Sequence, residues 1–309
     1  MKLEYKMRFY AAQIKTRQRD GMKGLSEKTK HDLQQKAEAI ARDFKDMGYK
    51  VNTKQQSPTL LTKDDFKAVV ERWKAQGDKI GTMQDKAYIL RAVLEQCGNK
   101  AAIIDNAALG ISKGRDVLNK ANINKAAVIS AGTMAQLDKI NIAASSALKL
   151  SAAYGLRKEE AAHVVYELSK GHIVNQGNDL ALKGSWCKNG RPREFNMRDG
   201  GVVLSQVAKD IRGYNFTGRI ENNRNAIDYA AKQAKTLDNN SGITPHALRH
   251  NYAQERYKDI TGLAAPAAGG LKYNAMTDKQ RQGYHTACRI ISEELGHNRE
   301  DISRTYLGK

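Results

Sequence analysis

Apolar residues recur at the spacing of an α-helix through the first third of the chain, and each run lies between a start signal and a stop signal. One run begins at Thr29 and ends at Gly48, and another begins at Thr82 and ends at Gly98. Between them, residues 62–65 read Thr-Lys-Asp-Asp, the pattern of a capping box at a helix start. Proline would interrupt such helices, and the 309-residue chain contains only four prolines. The sequence therefore predicts a small domain built from helices.

The length of the chain predicts a second domain. A chain of 309 residues can form two domains, each with a core of its own. We expect the helical domain at residues 1–105 and a linker at residues 106–128, where glycine and asparagine weaken the helical pattern. The second domain follows at residues 129–309 and should begin with a helical segment at about residues 133–154.

One stretch of the second domain has the alternating pattern of β-strands. Leu180 and Leu182 on one side of a turn, and Phe195 and Met197 on the other, place apolar residues on one face of two short strands. Helical patterns return after Ser205. The predicted fold class is mainly α with a small β-hairpin or sheet.

Positive charge is spread along the whole chain. Lysine and arginine number 52 against 33 aspartate and glutamate, which gives a formal net charge of +19. A polyanion such as double-stranded DNA is the natural partner of such a chain. No stretch approaches the roughly 18 apolar residues of a membrane-spanning helix, and the charged opening residues lack the apolar centre of a signal peptide. We therefore expect a cytoplasmic protein with no membrane partner.

Neither the cysteines nor the histidines form a complete metal motif. The three cysteines, Cys97, Cys187 and Cys288, lie far apart without C-x-x-C pairing, so we expect reduced thiols. His246 and His250 have a spacing that can seat a metal on a helix, but the glutamate of the HExxH motif is absent. We expect neither a metal nor another cofactor.

Six polar residues of the second domain are not explained by packing alone. Two of them, His246 and Arg249, share one face of a helix that Pro245 would begin. Taken singly, each of the six has an ordinary structural interpretation, because an arginine at a helix corner usually forms a cap or a salt bridge and a hairpin lysine is usually solvated. In chain order the six are Arg157, Lys183, His246, Arg249, His297 and Tyr306.

Taken together and in this order, the motifs around these residues resemble those of the tyrosine recombinases, the family of the phage-type integrases. The motifs are GLRKEE, KGSWCKNGRPREFNM, HALRHNYA and LGHNREDISRTYLG, and the resemblance covers about residues 130–309. It implies a two-domain clamp on DNA, in which a helical core-binding domain precedes the catalytic domain. It also implies that the six residues are catalytic.

The resemblance implies a reaction as well. Tyr306 would attack a DNA phosphate held by Arg157 and Arg249 and form a 3′-phosphotyrosyl intermediate, while the two histidines donate hydrogen bonds or carry protons. Lys183 would protonate the leaving 5′ oxygen. Lys188 is the alternative, because the hairpin is longer than the usual turn.

The implied biological role is site-specific recombination, for the integration or excision of a mobile element. The implied partners are double-stranded DNA, further copies of the chain in a tetramer assembled on DNA, and accessory DNA-bending or directionality proteins. The implied setting is the nucleoid of a bacterial or phage-infected cytoplasm.

Two other functions compete with recombination. Type IB topoisomerases resemble the recombinases in the residue types that they use, but the HxxRH box and the compact two-domain length favour recombination. A regulator that binds DNA without cutting it is the second alternative. Such a protein has no need of Lys183 or Tyr306.

The sequence departs from the family pattern in two places. Residues 254–287, between the last two motifs, are longer than usual and have a middle rich in glycine, alanine and proline, so we expect a loop insertion. Only three residues follow Tyr306. We therefore expect the tyrosine on a mobile tail, and subunit assembly either through another surface or through a segment lost by truncation.

Overall fold

The chain divides into two compact units, Met1–Val117 and Leu118–Lys309. The computed structural model describes residues 2–14, 25, 27–49, 57–112, 123–216, 220–297 and 299–309. The predicted linker at residues 106–128 lies partly outside these residues. Among them, no helix is both long and apolar enough to cross a membrane.

Within its described residues, the first unit is built from four α-helices around one apolar core. The core contains Phe44, Phe66 and Trp73, which are almost fully buried. The indole Nε1 of Trp73 donates a hydrogen bond of 2.8 Å to Asp43 Oδ2, so the largest ring of the core also has its polar atom satisfied. The helices are α1 (Leu3–Ala12), α2 (Glu27–Asp46), α3 (Lys63–Ala75) and α4 (Ile80–Gln96).

The helix signals of this unit are largely confirmed. The capping box is present, because Asp65 N donates to Thr62 Oγ1 over 3.2 Å and Thr62 N donates to an Asp65 carboxylate oxygen over 2.8 Å. The predicted starts at Thr29 and Thr82 are wrong, since α2 begins at Glu27 and α4 begins at Ile80. The sequence prediction also missed α1, whose exposed Tyr5 and Phe9 hide the spacing of its buried residues.

The second unit contains eight α-helices and a three-stranded sheet within its described residues. Helix α6 lies at its centre and contacts five other helices. Small buried side chains, among them Ala143, Ala144 and Ala147, let those neighbours approach closely. The elements are α5 (Ala131–Ile140), α6 (Ile142–Tyr154), α7 (Lys158–Ser169), β1 (Asn175–Gln176), β2 (Asp179–Leu182), β3 (Arg193–Asn196), α8 (Val202–Ile211), α9 (Ile220–Leu237), α10 (Pro245–Thr261), α11 (Asp278–Glu294) and α12 (Glu300–Leu307).

The predicted fold class, mainly α with a small sheet, is confirmed. Strands β2 and β3 pair antiparallel with Leu180 opposite Phe195, as the alternating pattern predicts, and β1 adds a third strand. The single helical segment predicted at about residues 133–154 is wrong. It is two helices, because Asn141 leaves the helical conformation and its side chain accepts a hydrogen bond of 2.9 Å from Ala144 N to begin α6.

The glycine-, alanine- and proline-rich middle of residues 254–287 lies outside the α-helices, as predicted for a loop insertion, whereas both ends of this stretch are helical. Helix α10 continues to Thr261 and α11 begins at Asp278, so only residues 262–277 lie outside the α-helices. The polar residues in this stretch hide an apolar face, on which Tyr257 and Tyr284 are fully buried with ring centroids 5.9 Å apart. We call residues 262–277 the connecting segment.

Candidate active site

Tyr306 lies on a helix and is buried, so the expectation of a mobile, solvated tail is wrong. Only 5% of its surface is exposed, and the neighbouring Leu307 is fully buried. Helix α12 packs against α10 and α11 over a cluster of apolar residues separate from the larger core of the second unit. The phenol of Tyr306 is therefore held at a defined position.

Arg249 fixes a positive charge beside that phenol. This residue of α10 is 1% exposed, and its Nε donates to Tyr306 Oη over 3.2 Å. Its other two nitrogens donate to the carbonyl oxygens of Gly155 and Leu295. Burial, with smaller contributions from neighbouring charges, lowers the pKa of Arg249 to about 10. The guanidinium is thus still charged at neutral pH and cannot rotate away.

The glycine of the first motif, Gly155, is required by the turn that ends α6. It ends α6 with a φ of +61°, a left-handed conformation that favours glycine. A side chain at this position would also meet Tyr252 Cδ1 at 2.5 Å. The turn aims the Gly155 carbonyl at Arg249 and positions Arg157 at the start of α7.

Arg157 binds the same carbonyl oxygen as Arg249. Its NH2 group donates to Leu295 O over 3.1 Å, and its NH1 group donates to Glu160 Oε1 over 2.7 Å. Burial would raise the pKa of Glu160, but Arg193 and Arg157 outweigh it and the pKa is lowered. A charged carboxylate therefore holds Arg157 in place.

Arg193 belongs to this cluster, and the sequence prediction missed it. Its side chain is 6% exposed, its NH2 group lies 2.5 Å from Glu160 Oε2, and its NH1 group donates to Glu294 O. The sequence did contain an indication that Arg193 is buried. It lies two residues before the inward-facing Phe195 and hence on the same face of β3. An arginine on a buried strand face requires a partner, here Glu160.

His297 contacts both the phenol and an arginine. Its Nε2 atom lies 3.3 Å from Tyr306 Oη and 3.2 Å from NH2 of Arg249. Burial first, then the charges of Arg249, Arg157, Arg193 and Lys188, lower the pKa of His297 to about 3. The imidazole is therefore neutral at pH 7. Because arginine can only donate, Nε2 is the acceptor and the proton lies on Nδ1.

Two more histidines lie beside the phenol ring. The ring centroids of His246 and His250 lie 5.8 Å and 4.5 Å from that of Tyr306. Burial is the largest cause that lowers the pKa of both, to about 4 for His250. In the described part of the chain, no group of three or more His, Cys, Asp or Glu side chains is arranged to hold a metal ion.

The structure does not bring Lys183 into this cluster. Its Nζ lies 5.1 Å from the ring centroid of Trp186, and both residues line a cavity of about 630 Å³. His297 lines a different cleft of about 440 Å³, together with Arg191 and Arg193. Lys188 is the hairpin lysine whose charge lowers the pKa of His297. The cluster thus comprises Arg157, Arg193, His246, Arg249, His250, His297 and Tyr306.

The buried histidines predict that the fold loses stability as the pH falls. The unfolded chain binds a proton at each histidine near pH 6.5, whereas folded His250 and His297 stay neutral down to about pH 4 and pH 3. Unfolding below pH 6.5 therefore takes up protons, and stability decreases with falling pH. At pH 5 we expect His250, which is 3% exposed, to contribute about 2 kcal/mol of this loss.

Thermal unfolding between pH 7 and pH 5 measures this effect. The His250→Gln variant should lose less stability than the unaltered chain over this range, whereas His31→Gln, on an exposed face of α2, should behave like the unaltered chain. An unchanged pH dependence in His250→Gln would contradict a neutral, buried His250.

Comparisons with known proteins agree with the fold and the motifs. Residues 112–255 match the family model described as Integrase. No curated protein sequence matches the chain at a significant level.

Solved structures match over nearly the whole chain. The Tn1549 transposon integrase in complex with circular intermediate DNA has a TM-score of 0.56 at 14% identity, covering 100% of this chain and 96% of that one. The XerH site-specific recombinase bound to palindromic difH substrate, in a post-cleavage complex, has a TM-score of 0.53 at 14% identity, covering 93% of this chain and 77% of that one. At these identities the matches establish the fold.

The second unit has the fold of the tyrosine recombinase catalytic domains. The match over residues 112–255, the shared fold and the ordered motifs together support the resemblance to the tyrosine recombinases. The resemblance stated from the motifs is confirmed.

Proposed function

We propose that this chain is a site-specific DNA recombinase that cleaves and rejoins strands through a 3′-phosphotyrosyl intermediate, and that it integrates or excises a mobile element. One observation carries the proposal. The Tyr306 hydroxyl lies 3.2 Å from a buried guanidinium and 3.3 Å from a neutral imidazole, and a second arginine shares the carbonyl that orients the first. A tyrosine that only packs does not need these polar neighbours.

The arginines of the site suit a phosphodiester. Negative charge on the non-bridging oxygens increases as phosphorus becomes five-coordinate, so fixed guanidiniums bind the transition state more tightly than the ground state. Arg249 is fixed by its two carbonyl partners and Arg157 by Glu160. We assign both to the scissile phosphate.

The proton transfers follow from the same contacts. As Tyr306 Oη attacks phosphorus, its proton passes to Nε2 of His297, whose lowered pKa is raised by the negative charge of the bound phosphate, and the bond between phosphorus and the 5′ oxygen breaks. The 5′ oxygen takes a proton from a hairpin lysine and leaves as a hydroxyl. Resealing reverses these steps, with a 5′ hydroxyl attacking the phosphotyrosine. His246, whose ring centroid lies 5.8 Å from that of Tyr306, would donate to a phosphate oxygen.

Lys188 is the better supported general acid of the two hairpin lysines. Its charge reaches His297, whereas Lys183 lies over Trp186 in another cavity. We therefore expect Lys188→Ala to slow cleavage of ordinary DNA by about 10²-fold or more. A substrate with a bridging sulfur at the 5′ position should restore the rate, because a thiolate leaves without a proton.

Lys183→Ala is the matched control. It should cleave both substrates at near wild-type rates in a single-turnover assay. If the sulfur substrate restores the rate of Lys183→Ala alone, Lys183 is the general acid instead of Lys188. If it restores the rate of neither variant, the proton comes from another residue, and His246 is the next candidate.

The proposed DNA partner and assembly rest on the net positive charge of the chain and on the DNA bound in the matched structures. The net charge of +19 suits phosphate contacts from both units, with the first unit acting as a core-binding domain. The matched integrase and XerH are bound to DNA. We extend this to double-stranded DNA as the partner, to a tetramer formed at synapsis with accessory DNA-bending or directionality proteins, and to action at the nucleoid in the cytoplasm.

A trapping experiment tests the proposed function. Nicked duplexes tiled across the DNA that flanks the gene are incubated with the chain, and covalent complexes are resolved by denaturing electrophoresis. We expect complex formation at one repeated sequence and no change with EDTA. A strict need for a divalent ion would favour a metal nuclease built on His246 and His250. Binding without any covalent complex would favour a regulator, and relaxation of plasmids that lack the repeat would favour a topoisomerase.

A further inference from the structure

Helix α12, which carries Tyr306, lies on a surface made by the chain itself. The surface consists of α10, α11 and the connecting segment, which contributes Ala265 and Met276 to the buried cluster around Tyr306 and Leu307. A helix of eight residues is too short to be stable alone in water. The position of the phenol therefore depends on this surface.

Hydrogen bonds attach α12 at three points. Gln254 Nε2 donates to the carbonyl of Tyr306 over 3.2 Å, and Tyr284 Oη donates to the carbonyl of Gly308 over 2.6 Å. Ser303 Oγ donates to Cys288 O over 2.9 Å. The backbone is thus held both at the tyrosine and just after it.

The connecting segment closes on the end of α12. Gly308 has a φ of +77°, and a Cβ there would lie 2.7 Å from Ala267 N. Ala267 belongs to the short turn Pro266–Ala268 of the connecting segment, which contacts α12. Only glycine fits at this approach without a shift of backbone.

A second link joins the start of α12 to the connecting segment. His285, on α11, lies between Tyr273 Oη, 2.8 Å from its Nε2, and Glu300 Oε1, 2.6 Å from its Nδ1. Both ends of α12 are therefore tied to the connecting segment, directly at Gly308 and through His285 at Glu300.

We propose that the connecting segment, with Tyr284 and Gln254, is an internal seat that positions Tyr306 for attack, and that Tyr284 is its principal positioning residue. The inference rests on the proposed function, because positioning matters only if Tyr306 reacts. Reaction rates depend steeply on the placement of the attacking atom. The hydroxyl of Tyr284 donates to the carbonyl of Gly308, two residues after Tyr306, and so acts on the nucleophile through the backbone.

The test uses the full chain with Tyr284→Phe, and with Tyr257→Phe as a matched control in the same buried cluster. Hydrogen exchange of the peptide that covers residues 300–309 is measured without DNA. Single-turnover cleavage and the Kd for DNA are measured on the trapping substrate. We expect about tenfold faster exchange and about tenfold slower cleavage in Tyr284→Phe, with the Kd unchanged. Gly308→Ala should show the same pattern, because its Cβ displaces the end of α12.

Two results would overturn the inference. One is exchange in Tyr284→Phe no faster than in Tyr257→Phe. The other is faster exchange with a cleavage rate equal to that of the control. If the unaltered chain forms no covalent complex, the proposed function fails and the positioning role with it, and the exchange measurement still shows separately whether Tyr284 docks α12.

Discussion

The Tyr306→Phe variant should bind DNA with unchanged affinity and form no covalent complex with it, a loss of at least about 10³-fold. The substitution removes only the oxygen that accepts from Arg249 Nε and contacts His297 Nε2. The ring stays in the cluster formed by α10, α11 and α12, so the fold should be unaffected. Trapping on a nicked duplex, followed by denaturing electrophoresis, measures the covalent yield.

Tyr257→Phe is the control for the loss of a buried tyrosine hydroxyl, and it should give a normal yield. A normal yield from Tyr306→Phe would instead move the nucleophile to another tyrosine. Tyr284 is a poor substitute, because burial raises the pKa of its phenol and its hydroxyl donates to Gly308 O.

Arg249→Ala should slow cleavage by about 10²–10³-fold, in line with the loss of one charged transition-state contact of about 3 kcal/mol or more. It should also destabilise the second unit, because the carbonyls of Gly155 and Leu295 lose a buried donor. Arg157→Ala separates the two effects. Its side chain is 22% exposed, so it should slow cleavage by a similar factor with a smaller loss of stability.

Single-turnover rates and thermal unfolding, measured on the same samples, check this pair. Arg198→Ala, which removes a guanidinium that lies 2.6 Å from Asp259 on α10, is the control and should leave the cleavage rate unchanged. Cleavage by Arg157→Ala at the control rate would exclude Arg157 from the phosphate site.

The sequence motifs predicted most of the cluster, because their order reflects a shared fold. Five of the six predicted residues come together in one cluster: Arg157, His246, Arg249, His297 and Tyr306. The hairpin lysine could not be fixed in this way. The stretch between Lys183 and Lys188 forms short helical turns, and motif spacing alone does not place a side chain on such irregular backbone.

The residues that support the cluster were harder to predict. Arg193 is recognisable only once the register of β3 is known. The surface on which α12 packs could not be predicted from local sequence. Tyr284 and Gly308 are brought together by the tertiary fold and not by any local pattern. The connecting segment is rich in glycine, alanine and proline, so its sequence alone predicts a solvated loop. Its packing against α12 becomes visible only in the folded structure.

The identity of the residue that carries the DNA tests the account most directly. The covalent complex of the unaltered chain is digested with trypsin and nuclease, and the peptide that bears a 3′-linked nucleotide is located by mass spectrometry. We expect the nucleotide on the peptide that follows Arg304, attached to Tyr306. A nucleotide on the peptide that contains Tyr284, or on any serine, would contradict the assignment of Tyr306 as the nucleophile.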